Sequence, residues 1–144
     1  MDSLDESMII DMGRHGVSYL SFSPESGYWK TLADMNKFFD YDHALKMLDV
    51  INDKKKVKNG MITQACFVLG LPGTGDEDLE RTSEYMGKMI RHGLDEVAIF
   101  AFCPTPGSGF WNNDIVPEKV NFSCMWRKDN KQILTWRRGM TILF

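Results

Sequence analysis

Two hydrophobic rhythms alternate along the chain. Helical spacing recurs at Leu4, Met8 and Met12, then at Ala44, Leu45, Leu48 and Ile51, then at Leu79, Ser83, Met86 and Ile90. Between and after these lie short strand-like apolar runs at residues 17–23, 61–70 and 97–102. The same punctuation precedes each run: Arg14-His15-Gly16, Lys58-Asn59-Gly60 and Arg91-His92-Gly93. A cation suits the negative C-terminal end of a helix, and glycine accepts the left-handed conformation that comes after it. Asp42 is placed to cap the second helix, and Thr74-Gly75-Asp76-Glu77 fits a capping box at the start of the third. The pattern therefore reads α-β-α-β-α-β. Its repeat of roughly 35–45 residues is that of successive βα units in a barrel or doubly wound sheet.

The middle run carries apolar residues at consecutive positions (Ala65, Cys66, Phe67, Val68, Leu69). A strand buried on both faces belongs in a parallel sheet covered by helices. Three strands are too few to close a barrel. Beyond them come a loop rich in Pro and Gly and a basic amphipathic helix near residues 125–140, with Trp126, Ile133, Leu134 and Trp136. The expected organisation is an α/β unit over residues 1–110. Residues 111–144 come next as loop and helix, the start of a C-terminal extension.

Composition narrows the function classes. A chain of 144 residues that is 43% hydrophobic can bury a real core. A net charge of −3 gives no electrostatic reason to expect nucleic acid as a partner. The basic side chains near the C-terminus (Lys119, Arg127, Lys128, Lys131, Arg137, Arg138) read as a solvated helix face. Three widely spaced cysteines, Cys66, Cys103 and Cys124, form no disulfide framework and have no metal-ligand spacing, which fits a reducing compartment. No apolar run approaches the ~20 residues of a membrane span, and the N-terminus is acidic, so a cytoplasmic protein is expected. His15 and His92 fall where helices end and read as caps, and His43 as exposed. Cys66 reads as core.

In parallel α/β folds, ligands bind at the C-terminal ends of the strands. Three elaborate loops fall there: Ser23-Pro24-Glu25-Ser26-Gly27, Gly70-Leu71-Pro72-Gly73-Thr74-Gly75, and Cys103-Pro104-Thr105-Pro106-Gly107. Their convergence on one rim is the physical signal for a small-molecule site. Glu25 has two readings, as an acceptor for ligand hydroxyls or an ammonium group, or as a cap for the short helix through Leu32 and Met35. The 70–75 loop lacks the Lys-Ser/Thr of a phosphate loop and leads into Asp76 and Glu77, which would repel phosphate. Cys103 either lines the site or is a small buried hydrophobe. Nothing resembles a Ser/His/Asp triad, and no residue of the chain is assigned a catalytic or metal-binding role.

These loops resemble the radical S-adenosylmethionine (SAM) enzymes. Residues 16–27 (GVSYLSFSPESG), with Leu32 and Met35-Asn36-Lys37, are similar to a "G…l.fs.ESG…L…m.K" segment of that superfamily, especially of members with an N-terminal cobalamin-binding domain. Phe67-Val68-Leu69-Gly70-Leu71-Pro72-Gly73, with Asp78-Leu79 and Thr82, resembles the "fi.GlPGET.ed…T" segment, and Pro104-Thr105-Pro106-Gly107-Ser108 the "PyPGT" segment. The likeness runs from about Leu4 to Phe110. It implies an α/β fold corresponding to strands four to six of a partial (β/α)6 barrel. It also implies reductive cleavage of SAM at a [4Fe-4S] cluster and hydrogen abstraction from an unknown small-molecule substrate. Ser23, Glu25, Gly70, Leu71, Pro72 and Cys103 would then lie on the SAM-binding wall, with Glu25 against the ribose or amino acid moiety.

Thr74 and Gly75 depart from the family's Glu-Thr. The C-x3-C-x2-C motif of the cluster is absent, and clusters need thiolates. The expectation is a partial SAM site, inactive alone, partnered by a missing N-terminal half of the barrel. The cluster belongs to the full-length protein, and the resemblance leaves cobalamin there open. The alternatives are a non-catalytic α/β interaction module derived from such a barrel, or a barrel enzyme with another cofactor.

Overall fold

The computed structural model describes residues 1–57 and 59–102. Cys103, the Pro104–Ser108 segment and the expected basic helix lie outside the described residues. The chain divides into two compact units, Met1–Phe100 and Ala101–Phe144, and the elements among the described residues lie in the first, apart from Ala101 at the end of β3.

The elements run α1 (Glu6–Arg14), β1 (Tyr19–Glu25), α2 (Trp29–Asp34), α3 (Tyr41–Asn52), β2 (Ile62–Leu69), α4 (Asp76–Arg91) and β3 (Glu96–Ala101). The three strands form one open parallel sheet in the order β1-β2-β3, with helical connections, which is the expected α/β architecture of a partial β/α barrel.

Helix ends explain where the elements stop. After α1, Gly16 turns left-handed (φ 84°), so that Val17 N–H donates to Met12 C=O (3.0 Å) and Gly16 N–H to Gly13 C=O (3.3 Å). The end of α4 repeats this at Gly93 (φ 87°), where Leu94 N–H donates to Met89 C=O and Gly93 N–H to Ile90 C=O. The third expected instance differs. Helix α3 already ends at Asn52, and a separate turn over Asp53–Val57 leads to Gly60. Two caps also differ from expectation. Asp40, not Asp42, caps α3 by accepting from His43 N–H at 2.9 Å. Thr74 forms no capping box, because its hydroxyl donates to Leu71 C=O (2.7 Å) and Gly75 is the N-cap of α4. His43 is half-buried rather than exposed, its Nε2 2.7 Å from Leu4 C=O.

One core cluster joins Ile9 of α1, Met47, Val50 and Ile51 of α3, and Val57 and Met61 leading into β2. In β2 the buried residues strictly alternate (Thr63, Ala65, Phe67, Leu69), while Gln64, Cys66 and Val68 are half-buried. The strand is therefore helix-covered on one face and partly open on the other. That corrects the expectation of two fully buried faces and of a core Cys66. The periodic faces of two helices are rotated from those expected. In α1 Ile9 and Gly13 are buried and Met8 is exposed. In α4 Asp78, Thr82, Tyr85, Met86 and Met89 are buried, and Ile90 is exposed.

Asn52 ties α3 to the end of α4 by donating from Nδ2 to the carbonyls of Leu48 (2.9 Å), His92 (3.2 Å) and Gly93 (3.1 Å). A Cβ on Gly93 would collide with that amide, and the residue is left-handed as well. Gly93→Ala should therefore cost at least about 1 kcal/mol. Gly87, in the interior of α4, would meet only the flexible end of Arg91 at 3.5 Å, so Gly87→Ala should stabilise by about 0.5–1 kcal/mol. Urea unfolding of the two variants tests the opposite signs.

Candidate functional site

The C-terminal ends of β1 and β2 lie side by side. Their register pairs Tyr19 with Ile62 and Phe22 with Ala65, then Glu25 with Phe67, so β1 carries one extra residue between Phe22 and Glu25. This bulge contains Pro24, which has no N–H to give to the ladder. It ends at Glu25, which is left-handed with φ 66°. For a residue with a Cβ that conformation costs on the order of 1–3 kcal/mol, and it persists only where the surroundings impose it.

The surroundings here are a buried polar cluster. Ser26, Thr31, Asp78 and Thr82 are each at most 2% exposed. Asp78 Oδ1 accepts from Ser26 Oγ (2.8 Å) and from Thr31 Oγ1 (2.6 Å). Thr82 Oγ1 lies 3.1 Å from Ser26 Oγ and accepts from Gly27 N–H at 3.0 Å. Ser26 Oγ accepts from Tyr28 N–H (3.0 Å), and Ser26 C=O accepts from Tyr41 O–H (3.0 Å). Gly27 lies directly on α4, where a Cβ would stand 2.6 Å from both Arg81 O and Thr82 Cα. The loop after β1 is thus bolted to the first turns of α4, two segments some fifty residues apart in sequence. Asp78 Oδ2 is buried without a partner among the described residues.

Above this cluster sits the Glu25 carboxylate, 21% exposed, which accepts from Lys37 Nζ at 2.6 Å. Lys37 comes after α2, whose end is closed by left-handed Asn36 (φ 52°), with Lys37 N–H donating to Leu32 C=O (2.8 Å). Glu25 is therefore not a helix cap. The N-cap of α2 is Tyr28, without a side-chain hydrogen bond.

Five of the six expected site residues lie at or just beyond the C-terminal ends of the paired strands β1 and β2. Ser23 is exposed, Glu25 is held by its left-handed backbone and its ion pair, and Gly70 (φ 84°) and Pro72 are exposed at the end of β2. The Leu71 side chain is only 2% exposed, and its carbonyl is taken by Thr74, so it anchors the loop from below. Cys103 lies outside the described residues. Sequence reasoning passed over Lys37, Thr31 and the buried Ser26–Asp78–Thr82 set as site residues. Its only signal for them was that Ser26, Lys37, Asp78 and Thr82 stand within the family-like segments.

The donor set can be tested against the groups that the resemblance implies. A carboxylate, an exposed hydroxyl and a loop whose left-handed Gly70 has open space where a Cβ would stand suit a ligand with hydroxyl and ammonium groups, as SAM has. A [4Fe-4S] cluster does not fit. The single cysteine among the described residues, Cys66, lies in mid-strand beside Ser21 and Gln64, and no group of three or more His, Cys, Asp or Glu there could hold a metal ion.

No protein-family model matches the chain. It does match tRNA-2-methylthio-N(6)-dimethylallyladenosine synthases. The synthase of Rickettsia bellii (strain OSU 85-389) is 31% identical over 103 residues, and that of Rickettsia felis 30% over the same length. Each alignment covers 71% of this chain and 22% of the relative. The synthase of Rickettsia canadensis is 30% identical over 97 residues, covering 67% of this chain and 20% of the relative. These synthases are radical SAM enzymes. The chain is similar to one segment of them. The similarity supports the superfamily that the motifs suggested, and the chain spans about a fifth of the length of these curated relatives. No helix among the described residues is long and apolar enough to cross a membrane.

The cluster has two measurable consequences. Thr82→Val keeps the shape but leaves Gly27 N–H and Ser26 without their partner, and should cost about 1–3 kcal/mol by urea unfolding. Burial, and then the charge of Asp78, push the Tyr41 phenol up to about 12, and burial raises Tyr85 further still. Folding thus favours the protonated phenols. The stability they contribute is complete below pH ~10, the ordinary tyrosine range, and declines as pH rises through 12. A tyrosinate absorbance titration should show Tyr41 and Tyr85 silent until pH about 12 or until the protein unfolds. Tyr41→Phe should make the alkaline loss of stability shallower.

Proposed function

We propose that this chain is part of a radical SAM enzyme, that it contributes one wall of the SAM site, and that it is inactive alone. The observation that carries the proposal is the rim itself. Two adjacent parallel strands present Glu25 and the Gly70–Pro72 loop at the end of the sheet where α/β folds bind ligands, within the segment similar to the synthases. Glu25 would accept hydrogen bonds from hydroxyl or ammonium groups of SAM, Ser23 would add a hydroxyl, and the Gly70 loop would let the ligand approach backbone. Cys103 is included in the proposal from its place in sequence.

The thiolates for the cluster would come from a partner, the N-terminal half of a barrel, which would pair along β1. Among the described residues β1 is an edge strand. Reductive cleavage of SAM would be the cluster's contribution, with the residues here only binding and orienting. The relatives' name specifies a modified tRNA nucleoside; we carry over to this chain the SAM chemistry and leave its substrate unassigned. Membership of the cobalamin-domain subgroup is not part of the proposal. The lack of a thiolate set supports a second reading, a non-catalytic module derived from such a barrel.

Titrating SAM into the isotopically labelled chain separates the two. A partial wall should show weak binding, with a dissociation constant above about 1 mM, and NMR shifts concentrated at Ser23, Glu25 and Gly70–Pro72. Absence of any shift at those residues would favour the module reading. Binding tighter than millimolar would contradict the claim that half the site is missing.

A further inference from the structure

We propose that Asp78, which stands on α4 beneath the rim, is the residue that positions Glu25, and that it acts through Ser26 and Thr31. The inference rests on the reading of Glu25 as a ligand-contacting group.

Glu25 and Lys37 bracket a single segment of chain, residues 26–36, and Asp78 holds that segment at two points. Near its start, Ser26 Oγ donates to Asp78 Oδ1 while accepting from Tyr28 N–H, which fixes the backbone immediately after Glu25. Further along, Thr31 of α2 donates to the same oxygen at 2.6 Å, which fixes the helix whose C-terminal turn delivers Lys37. One buried oxygen therefore sets both the direction of the Glu25 carboxylate and the place of the ammonium group that pairs with it at 2.6 Å. The left-handed φ of 66° at Glu25, closed locally by Ser26 N–H donating to Pro24 C=O (2.8 Å), is strain that this anchoring helps to sustain. Thr82 and Tyr41 also hold this turn, at Gly27 N–H and Ser26 C=O; of these contacts only those of Asp78 tie the turn to α2 and so to Lys37.

The chemistry also argues for orientation over packing. A carboxylate in the interior with Oδ2 unpartnered among the described residues is a poor choice for stability alone, since an apolar side chain of similar size avoids the desolvation cost. It is a good choice for direction, because both hydroxyls must converge on one fixed acceptor.

The test is an NMR titration of the 144-residue chain with SAM, in which the initial slope of the amide shifts at Gly70 and Leu71 reports affinity even in the weak range. Gly93→Ala, which weakens the fold at the opposite end of α4, serves as the stability control and should leave the slope unchanged. The variants are Asp78→Ala, Ser26→Ala, Thr31→Val and Glu25→Gln, with Ser26→Ala and Thr31→Val each also combined with Glu25→Gln. At a temperature where each amide spectrum shows a folded protein, Asp78→Ala should reduce the slope about tenfold, and Ser26→Ala and Thr31→Val by less. In the Glu25→Gln background the two hydroxyl deletions should add no further loss. Losses that multiply in that background would overturn the positioning role, and so would full affinity in Ser26→Ala and Thr31→Val. If Asp78→Ala does not fold, those two variants decide the matter by themselves. An unchanged slope in Glu25→Gln would instead overturn the reading of Glu25 as a ligand contact, and the positioning proposal with it.

Discussion

The half-sheet depends on a buried carboxylate. Asp78 takes two hydroxyl hydrogen bonds on one oxygen, from Ser26 and Thr31, and Thr82, one helical turn on, takes the amide of Gly27. These contacts decide how closely the loop after β1 approaches α4, and that approach is so tight that a single Cβ at Gly27 would penetrate the helix backbone. The aromatic packing beneath the rim results from it. Tyr41 reaches Ser26 C=O from the start of α3, Tyr85 donates to Tyr41 C=O, and their rings meet edge-on at 4.6 Å with Phe39 beside both. A buried carboxylate left partly unpaired is costly in low dielectric. Here the cost is tolerable because its bonded oxygen organises three elements at once.

This geometry makes the two family-like segments parts of one unit. Residues 25–27 and residues 70–82 look like two separate motifs when read along the chain. In the fold Ser26 and Gly27 of one are the hydrogen-bonding and steric complements of Asp78 and Thr82 of the other. Much of what the sequence resemblance rests on is therefore internal fit, and Glu25, Ser23 and the Gly70 loop are what lies outside it.

What the pattern of residues made legible, and what it hid, divides along physical lines. The alternation of elements, the parallel sheet and the glycine-closed ends of α1 and α4 come from local chemistry, because a left-handed glycine after a cation is a short-range signal. The burial phase of α4 could not be read from apolar spacing, since two of its buried residues, Asp78 and Thr82, are polar and satisfied only by partners about fifty residues away. The same holds for the cap of α3. Asp40 and Asp42 are equivalent as sequence, and only the chain direction entering the helix decides between them. Glu25 was legible as a strand-end carboxylate, but its left-handed backbone and its ammonium partner depend on a bulge and a helix end that no local pattern announces.

The open face of the sheet is ordered by side chains that pair across its three strands. At its N-terminal half Glu96 of β3 accepts from Tyr19 O–H of β1 (2.8 Å) and from Gln64 Nε2 of β2 (3.1 Å), and Ser21 Oγ donates to Gln64 Oε1 (3.1 Å). The hydrogen bond to Glu96 raises the Tyr19 phenol above its ordinary value, although the group is exposed. Water could satisfy each of these groups separately, so the pairing reflects the fit of three neighbouring strands on one surface. Tyr19 and Ile62, opposite each other in the register of β1 and β2, stay close to half exposed beside these polar pairs. Polar groups that already hold one another leave these two large apolar side chains as the part of the surface with the most to gain from burial.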